Sequence, residues 1–303
     1  MASIRTVSQI VVGALVIFLV YNGLLHLLRP RIDHGQHQWQ DNVINAQRYI
    51  YSSSKPPVVV VGSSLSTRLR GLPTDCFNLA LGGSDCLTGL AIVLRESYCP
   101  QLVLIEANSL RGIDEAFVAK LYAPLLYPLR RYLLALREEY NPLTVLMSAA
   151  ADRVVRDPGV PGEVLQLAVA RATVPIDNGF RTQIGLNLDQ LEELVRSLVS
   201  NESVPVFYWM PLHPEVSVAP RTQYERLAFH ERFPDKQYYW LSDPPSDRFK
   251  PADGLHLARP EAVEYSHQFV SEVESIRKQV ERVHTKTVTS PNLNHPGIKT
   301  GSK

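Results

Sequence analysis

The chain has few cysteines, almost no net charge and no internal repeat, and each absence narrows what it can be. Its 303 residues carry 31 basic and 30 acidic side chains, a formal net charge of +1. No basic cluster is present, so composition gives no reason to expect a nucleic-acid partner. The cysteines number three, and an odd number excludes a fully paired disulfide framework. No CxxC motif or Cys/His cluster predicts a zinc site.

The three cysteines leave one alternative open. Cys76 and Cys86 could form a disulfide in an oxidising compartment. Three small buried thiols, including Cys99, explain the same residues equally well. The sequence does not choose between the two.

One long apolar run is present, at the N-terminus. No formally charged residue occurs from Ile10 to Leu28, and the run is long enough to cross a bilayer. A secretory signal has a shorter apolar core followed by a small-residue cleavage site, whereas this run ends in Arg29-Pro30-Arg31. We therefore predict an uncleaved membrane anchor over residues 1–30. Polar residues in its second half leave a cleaved signal or a buried helix as alternatives. The flanking charges slightly favour a cytoplasmic body or decide nothing about its orientation.

Short apolar runs alternate with helical stretches through most of the remaining chain. Five runs have the length and composition of strands: Val58–Val61, Phe77–Leu81, Leu102–Glu106, Val204–Met210 and Gln237–Leu241. Helical periodicity marks three stretches: Leu87–Glu96, Leu188–Val199 and Pro260 to about Val280. This alternation predicts an α/β fold, a three-layer sandwich around a five-stranded parallel sheet. We place this domain at residues 56–282, after a linker and amphipathic helix at 31–55.

Two regions fall outside that pattern. Residues from about 114 to 186 are predicted to form a helix-rich insertion, interrupted by Pro124 and Pro128. The Arg130-Arg131 pair beside apolar residues would suit a helix that lies on a membrane or covers a site, and a packed cap or extra core helix is the alternative. Residues 283–303 are rich in Thr, Ser, Asn, Pro and Gly, which predicts a disordered tail.

Serine, glycine and asparagine residues follow the first three predicted strands. Ligands of open parallel sheets bind beyond the carboxyl ends of the strands. Ser63 and Ser64 follow the first predicted strand and would therefore lie at this edge of the sheet. A serine there can be a nucleophile, although capping of the next helix explains this segment equally well. The backbone of Gly83 and the side chain of Asn108 follow the second and third strands and could donate to an oxyanion, or simply belong to turns.

A carboxylate and an imidazole stand together near the C-terminus. Asp253 precedes His256 by three residues, just before a predicted helix, and a tight turn would bring the two side chains into contact. A carboxylate in that position orients the imidazole as a base for a serine. His213 lies beyond the fourth strand and is a candidate for substrate binding, with a loop role as the alternative.

These four segments together resemble the SGNH (GDSL-like) hydrolase superfamily. That superfamily has a serine after the first strand, a glycine after the second, an asparagine after the third and a DxxH segment near the C-terminus. The resemblance covers about Val58 to Val280. It implies a flavodoxin-like fold of the SGNH type and a reaction that needs no metal and no cofactor. It also implies the site residues: Ser64, Asp253 and His256 as a catalytic triad, with Ser64, Gly83 and Asn108 as the oxyanion hole.

Two positions depart from the superfamily pattern. Ser63 stands where the best-known members have aspartate, and Glu106-Ala107-Asn108 stands in place of Gly-x-Asn-Asp. In these respects the chain is more similar to a membrane-tethered branch that acts on cell-envelope polymers, such as the alginate O-acetylation proteins and the D-alanine transfer protein of teichoic acids. The Pro-x-His-Pro segment that ends in Pro214 and the N-terminal anchor also fit this branch.

The branch implies a function and a location. It predicts a membrane-anchored serine acyltransferase or esterase that moves a small acyl group, acetyl above all, on a carbohydrate polymer outside the cytoplasm. A membrane protein that exports acyl groups is the implied partner. A plain carbohydrate esterase or lipase is one alternative, and a non-catalytic, anchored carbohydrate-binding protein is another.

Overall fold

A parallel β-sheet forms the centre of the protein. The computed structural model describes residues 2–30, 37–145, 163–245, 248–251 and 253–288. Its strands are β1 (Val58–Val61), β2 (Cys76–Asn78), β3 (Leu102–Glu106), β4 (Val204–Tyr208) and β5 (Tyr239–Trp240). They lie in the order β2-β1-β3-β4-β5, and every neighbouring pair is parallel. The predicted α/β fold with a five-stranded parallel sheet is therefore confirmed.

Three strands are shorter than predicted, and β2 shows why. Extended chain continues past Asn78, because the Leu79 N–H donates to Val60 O at 2.8 Å and the Leu81 N–H to Gly62 O at 2.9 Å. Between them, the Ala80 N–H donates to the side chain of Asn78 at 3.0 Å. This local turn contact interrupts the regular ladder.

Helices cover both faces of the sheet. They are α1 (Ala2–Leu28), α2 (Gln38–Ile50), α3 (Cys86–Arg95), α4 (Glu115–Leu121), α5 (Leu126–Tyr132), α6 (Glu163–Ala172), α7 (Asn178–Ser200), α8 (Pro214–Ser217), α9 (Pro220–Arg232) and α10 (Arg259–Val288). Alternate residues of β1 point to opposite faces, so Val59 and Val61 pack with α2, α3, α4, α7 and α9. Val58 and Val60 pack on the other face, mainly with α10.

Helix α2 belongs to the body of the protein, although the sequence placed it in a linker region before residue 56. Its apolar face is buried in the same core as β1, with Val43 and Tyr49 almost completely inaccessible. The Asn45 amide donates to the carbonyl groups of Asn78 at 2.9 Å and Ala80 at 3.2 Å. Because β2 is an edge strand, these bonds satisfy backbone groups that would otherwise be open to another chain.

The predicted insertion divides into different parts. Helix α4 is part of the sheet's core, whereas α5 leaves large apolar side chains exposed, among them Leu129. Arg130 is buried, and its guanidinium donates to the backbone oxygens of Leu136, Lys120 and Leu121. This arginine therefore holds the local chain together and does not face a membrane. Residues 146–162 of the predicted insertion lie outside the described residues.

The N-terminal helix is long and apolar enough, from Ile4 to Leu28, to cross a membrane by length and composition. Hydrogen bonds to the body come from residues in its C-terminal part. The Tyr21 hydroxyl donates to Tyr140 O at 2.8 Å, and the Ala135 N–H donates to Asn22 Oδ1 at 3.2 Å. These bonds join α1 to the two 3₁₀ turns at Leu134–Leu136 and Glu138–Tyr140.

The remaining expectations concern the cysteines and the C-terminus. Cys76, Cys86 and Cys99 are all free thiols, so the disulfide alternative is not what the structure contains. Helix α10 runs to Val288, beyond the predicted domain end at 282. The predicted tail from 289 onward lies outside the described residues.

Candidate active site

The turn after β1 separates the roles of its two serines. The Ser63 N–H donates to Glu106 Oε2 at 2.9 Å, and the Ser63 hydroxyl donates to Glu106 Oε1 at 2.6 Å. The Leu65 N–H in turn donates to the Ser63 hydroxyl at 3.2 Å. Ser63 is thus buried and engaged, whereas Ser64 is partly exposed at the carboxyl end of the sheet. Of the two candidates, the geometry favours Ser64 as the reactive one.

Ser64, His256 and Asp253 form one chain of hydrogen bonds. The Ser64 Oγ lies 2.8 Å from His256 Nε2, and His256 Nδ1 lies 2.7 Å from Asp253 Oδ2. The other oxygen of Asp253 accepts the backbone N–H groups of His256 at 2.6 Å and Leu255 at 2.9 Å. Residues that are far apart in sequence therefore have the arrangement of nucleophile, base and orienting carboxylate.

The carboxyl of Asp253 stays ionised for a physical reason. Burial by itself disfavours its charge, but the hydrogen bonds from the backbone of His256 and Leu255 and from the His256 ring together outweigh burial and lower its pKa. An ionised carboxylate at this position can hold the imidazole in one tautomer and stabilise the imidazolium that forms during reaction.

The turn that carries this pair depends on Gly254. Its φ is +87°, in the left-handed region that side chains other than glycine seldom adopt. The Gly254 carbonyl accepts the backbone N–H of His213 at 3.0 Å. The His213 ring accepts the Glu215 N–H at 3.4 Å and so caps α8. Within the described chain His213 lines neither cavity beside Ser64, so its place in the structure is that of a loop support.

Ser64 and Gly83 are the candidate backbone donors to an oxyanion. The N–H groups of Ser64 and Gly83 have no hydrogen-bond partner among the described residues, and both residues line the same cleft. Gly83 is held in place from one side because Gly82 and the side chain of Asn42 exchange two hydrogen bonds of 2.8 Å. On the other side Asp85 caps α3. Free, fixed N–H groups of this kind are what an oxyanion requires.

Asn108 has a more constrained position than the sequence predicts. Its Oδ1 accepts the Met210 N–H at 2.6 Å, and its Nδ2 donates to Met210 O at 2.9 Å. The side chain thus joins the ends of β3 and β4. Because an amide nitrogen carries two hydrogens, one N–H of Asn108 remains for the cleft that it lines with Ser64 and Gly83.

Glu106 is a site residue whose role sequence reasoning missed. Besides its bonds to Ser63, it accepts a hydrogen bond from the Ser66 hydroxyl, and the Tyr208 hydroxyl lies 2.6 Å from the same Ser66 oxygen. The two positions that depart from the superfamily pattern, Ser63 and Glu106, are therefore bonded to each other. A side chain at Gly62 would come within 2.5 Å of Glu106 Oε2, which explains the glycine.

We expect Glu106→Ala to lower the free energy of unfolding by about 3 kcal/mol, because it leaves buried donors of Ser63 and Ser66 without an acceptor. The shift of the Ser64 turn should also reduce turnover. Glu106→Gln keeps one acceptor oxygen for these donors and is the matched control, with a smaller loss of stability than Glu106→Ala when both are measured near pH 4.5. Chemical denaturation and ester turnover measure both effects, and wild-type stability in Glu106→Ala would contradict this role.

We also expect the stability of Glu106→Gln relative to the wild type to depend on pH. Burial raises the pKa of Glu106 above its usual 4.5, against the opposing hydrogen bonds from Ser63 and Ser66. As pH rises through the ordinary glutamate range, the unfolded state releases its proton before the folded state does, so this group's contribution to stability falls. Glu106→Gln lacks that titration and should gain relative to the wild type as pH rises above 4.5.

Ser64 lies between two cavities of different chemistry. The first, here the polar groove, has a volume of about 650 Å³ and is lined by His256, Arg68, Arg70 and polar residues of α2. The second, here the apolar cleft, has a volume of about 390 Å³ and lies beside Gly83 and Asn108. A reacting group at Ser64 therefore has access to a polar and an apolar side.

Comparisons with known proteins add no further identification. No protein-family model matches the chain, and no curated protein matches it. Within the described chain, no group of three or more His, Cys, Asp and Glu residues is placed to hold a metal ion. The site must be interpreted from its own geometry.

Proposed function

We propose that the protein is a membrane-anchored serine acyltransferase or esterase of the SGNH type that acts on O-acyl groups of a cell-envelope or exported carbohydrate polymer. The observation that carries the proposal is the hydrogen-bonded chain from Asp253 through His256 to Ser64, with bonds of 2.7 and 2.8 Å. The free N–H groups of Ser64 and Gly83 beside it support the same chemistry.

The reaction follows from these positions. The Ser64 oxygen attacks the acyl carbonyl carbon while His256 Nε2 takes the hydroxyl proton, and the carbonyl oxygen becomes an oxyanion at the N–H groups of Ser64 and Gly83. The bond to the departing alcohol then breaks, and His256 gives that alcohol the proton. In the second half, a sugar hydroxyl or water loses its proton to His256 and attacks the Ser64 ester, and the serine recovers the proton.

The polar groove supports a carbohydrate as the alcohol. It is lined by the side chains of Gln38, Arg68 and Arg70, together with polar groups of Asp41 and Thr67. The guanidinium groups of Arg68 and Arg70 have no partner among the described residues and are available to a ligand. Amide, guanidinium and carboxylate groups are suitable hydrogen-bond partners for the many hydroxyls of a sugar.

Helix α1 supports a retained anchor. A signal sequence is removed from the mature protein, whereas Asn22 and Tyr21 of α1 bond to the body and Leu25 is buried against it. With α1 in the bilayer, the catalytic domain lies at the membrane surface. The resemblance to the envelope-polymer branch favours the extracytoplasmic side, and a membrane protein that exports acyl groups as the partner.

The test compares the O-acyl content of the envelope polysaccharide in cells that make the wild type or Ser64→Ala. A lower acyl content in the Ser64→Ala cells is the result expected of a transferase, and a higher content is expected of an esterase. Ser84→Ala is the matched control, because Ser84 lines the same cleft and its hydroxyl bonds to Thr88. Equal acyl content in wild-type and Ser64→Ala cells would contradict a polysaccharide substrate.

A further inference from the structure

We propose that the apolar cleft binds the acyl chain of the donor and that this chain is longer than acetyl. This inference rests on the proposed function, because it assigns a substrate group to the same serine. It goes beyond that function by naming the class of acyl group.

The tetrahedral intermediate carries four groups, and the site assigns three of them. One group is the Ser64 oxygen, and the second is the oxyanion at the N–H groups of Ser64 and Gly83. The third, the alcohol oxygen, must lie where His256 Nε2 can give it a proton. Among the described residues, His256 lines the polar groove and not the apolar cleft, so the alcohol lies on the groove side.

The fourth group is the acyl chain, and the space left for it is the apolar cleft. This cleft begins at Ser64 and is lined by apolar side chains: Leu65, Leu167, Ala168, Leu212, Val216 and Leu255. Its volume of about 390 Å³ falls within the range of roughly 300–1,000 Å³ that holds drug-sized ligands. An acetyl group would leave most of this apolar surface uncovered.

The charged groups of the cleft do not contradict an apolar ligand. The Arg111 guanidinium donates to Gly83 O at 3.2 Å, and the Arg221 guanidinium donates to Val174 O at 3.0 Å. Both are therefore bound by the protein, and Arg171 is exposed to solvent. Burial raises the pKa of Glu225 to about 7, although Arg221 and Arg111 act in the opposite direction.

The experiment measures kcat/KM for p-nitrophenyl acetate, butyrate, hexanoate and octanoate with the full chain in lipid nanodiscs. Each buried methylene contributes about 0.8 kcal/mol, or about four-fold in affinity. Because the cleft is open to solvent on one side, we expect a smaller total gain of at least about ten-fold from acetate to hexanoate. Ser64→Ala gives the background for every ester.

A pair of variants on α6 then tests the location. Leu167 lines the cleft and is 51% exposed, so a larger side chain fits there without disturbing the core. Leu167→Trp should lower the ratio of hexanoate to acetate activity about ten-fold by filling the cleft. Gln166→Trp, on the neighbouring residue outside the cleft, is the matched control and should keep that ratio.

The failure of this inference can be told apart from the failure of the proposed function. Ser64-dependent turnover that is highest on acetate and falls with chain length would overturn the acyl-chain assignment alone. An unchanged hexanoate-to-acetate ratio in Leu167→Trp would do the same. Absence of Ser64-dependent turnover on all four esters would contradict the proposed function, and the assignment with it.

Discussion

Replacing Ser64 with alanine is expected to lower the turnover of an activated ester by about a million-fold, the size of effect that follows loss of the nucleophile in serine hydrolases. The reason is geometric: the Ser64 Oγ is the hydroxyl placed 2.8 Å from the His256 base. Without it, no acyl-enzyme forms, and only the oxyanion donors still act on the bound ester. Steady-state kinetics on p-nitrophenyl butyrate measure the effect.

The neighbouring serines serve as controls with different expected signatures. Ser84→Ala should keep turnover within a few-fold of the wild type, because the hydrogen bond of its hydroxyl among the described residues is the one to Thr88, at 2.9 Å. Ser63→Ala should lower stability first, since its hydroxyl donates to the buried Glu106. A Ser64→Ala enzyme that keeps wild-type turnover would show that the nucleophile lies elsewhere.

Asp253→Asn is expected to lower turnover by about 10⁴-fold while the protein remains folded. The amide keeps an oxygen that can accept the N–H groups of Leu255 and His256, as Asp253 Oδ1 does. Its nitrogen, however, would donate to His256 Nδ1 and favour the tautomer in which Nε2 carries the proton. An imidazole in that form cannot take the proton of Ser64, so the base is lost without loss of the turn.

Circular dichroism and turnover together test this prediction. Asp189→Asn is the control, because Asp189 is an exposed carboxylate that pairs with Arg232 at the surface. A folded Asp253→Asn protein with full activity would contradict the orienting role. If the variant fails to fold, Asp253 is needed to form the turn, and the orienting role is contradicted as its main contribution.

The acid stability of the same variant has a defined sign. The pKa of Asp253 is lowered from 3.8 in the folded protein, so its charged form contributes stability at pH values above 3.8. That contribution disappears as pH falls through the lowered folded-state pKa. The stability advantage of the wild type over Asp253→Asn should therefore shrink in strong acid, which denaturation at several pH values measures.

The sequence predicts the parts of this protein that depend on local patterns. The valines of Val58–Val61 indicate a strand buried on both faces, and the structure places β1 inside the sheet with that pattern. The Asp253 and His256 pair lies within one tight turn, so its contact follows from a spacing of three residues. The meeting of that turn with Ser64 was inferred from strand order and from the resemblance.

The sequence does not predict contacts between polar groups that are distant along the chain. In the sequence, Glu106 stands out only as a departure from the Gly-x-Asn-Asp pattern, and its bond to Ser63, 43 residues away, could not be predicted. Likewise, one N–H of the Asn108 amide donates to Met210 O. The two residues are near each other because β3 pairs with β4. A buried carboxylate satisfied by two serines leaves no periodic pattern in the sequence.

The sequence also does not predict that Ser64 lies between two cavities of different polarity. Helix α2 forms a wall of the polar groove because it caps the open edge of β2, a role that amphipathic periodicity does not reveal. The leucines of α6 and the loop after β4 meet at the apolar cleft only in the folded chain. The size and polarity of these two cavities therefore follow from tertiary packing.

The most direct test of the account is labelling of the full chain with a fluorophosphonate, followed by mass spectrometry of the modified peptide. A fluorophosphonate reacts with a serine that a neighbouring base has activated. We predict one phosphonylated residue, Ser64, with no label in Ser64→Ala and greatly reduced label in Asp253→Asn. Equal labelling of the wild type and Ser64→Ala, or a label found on another serine, would contradict the assignment of Ser64 as the nucleophile.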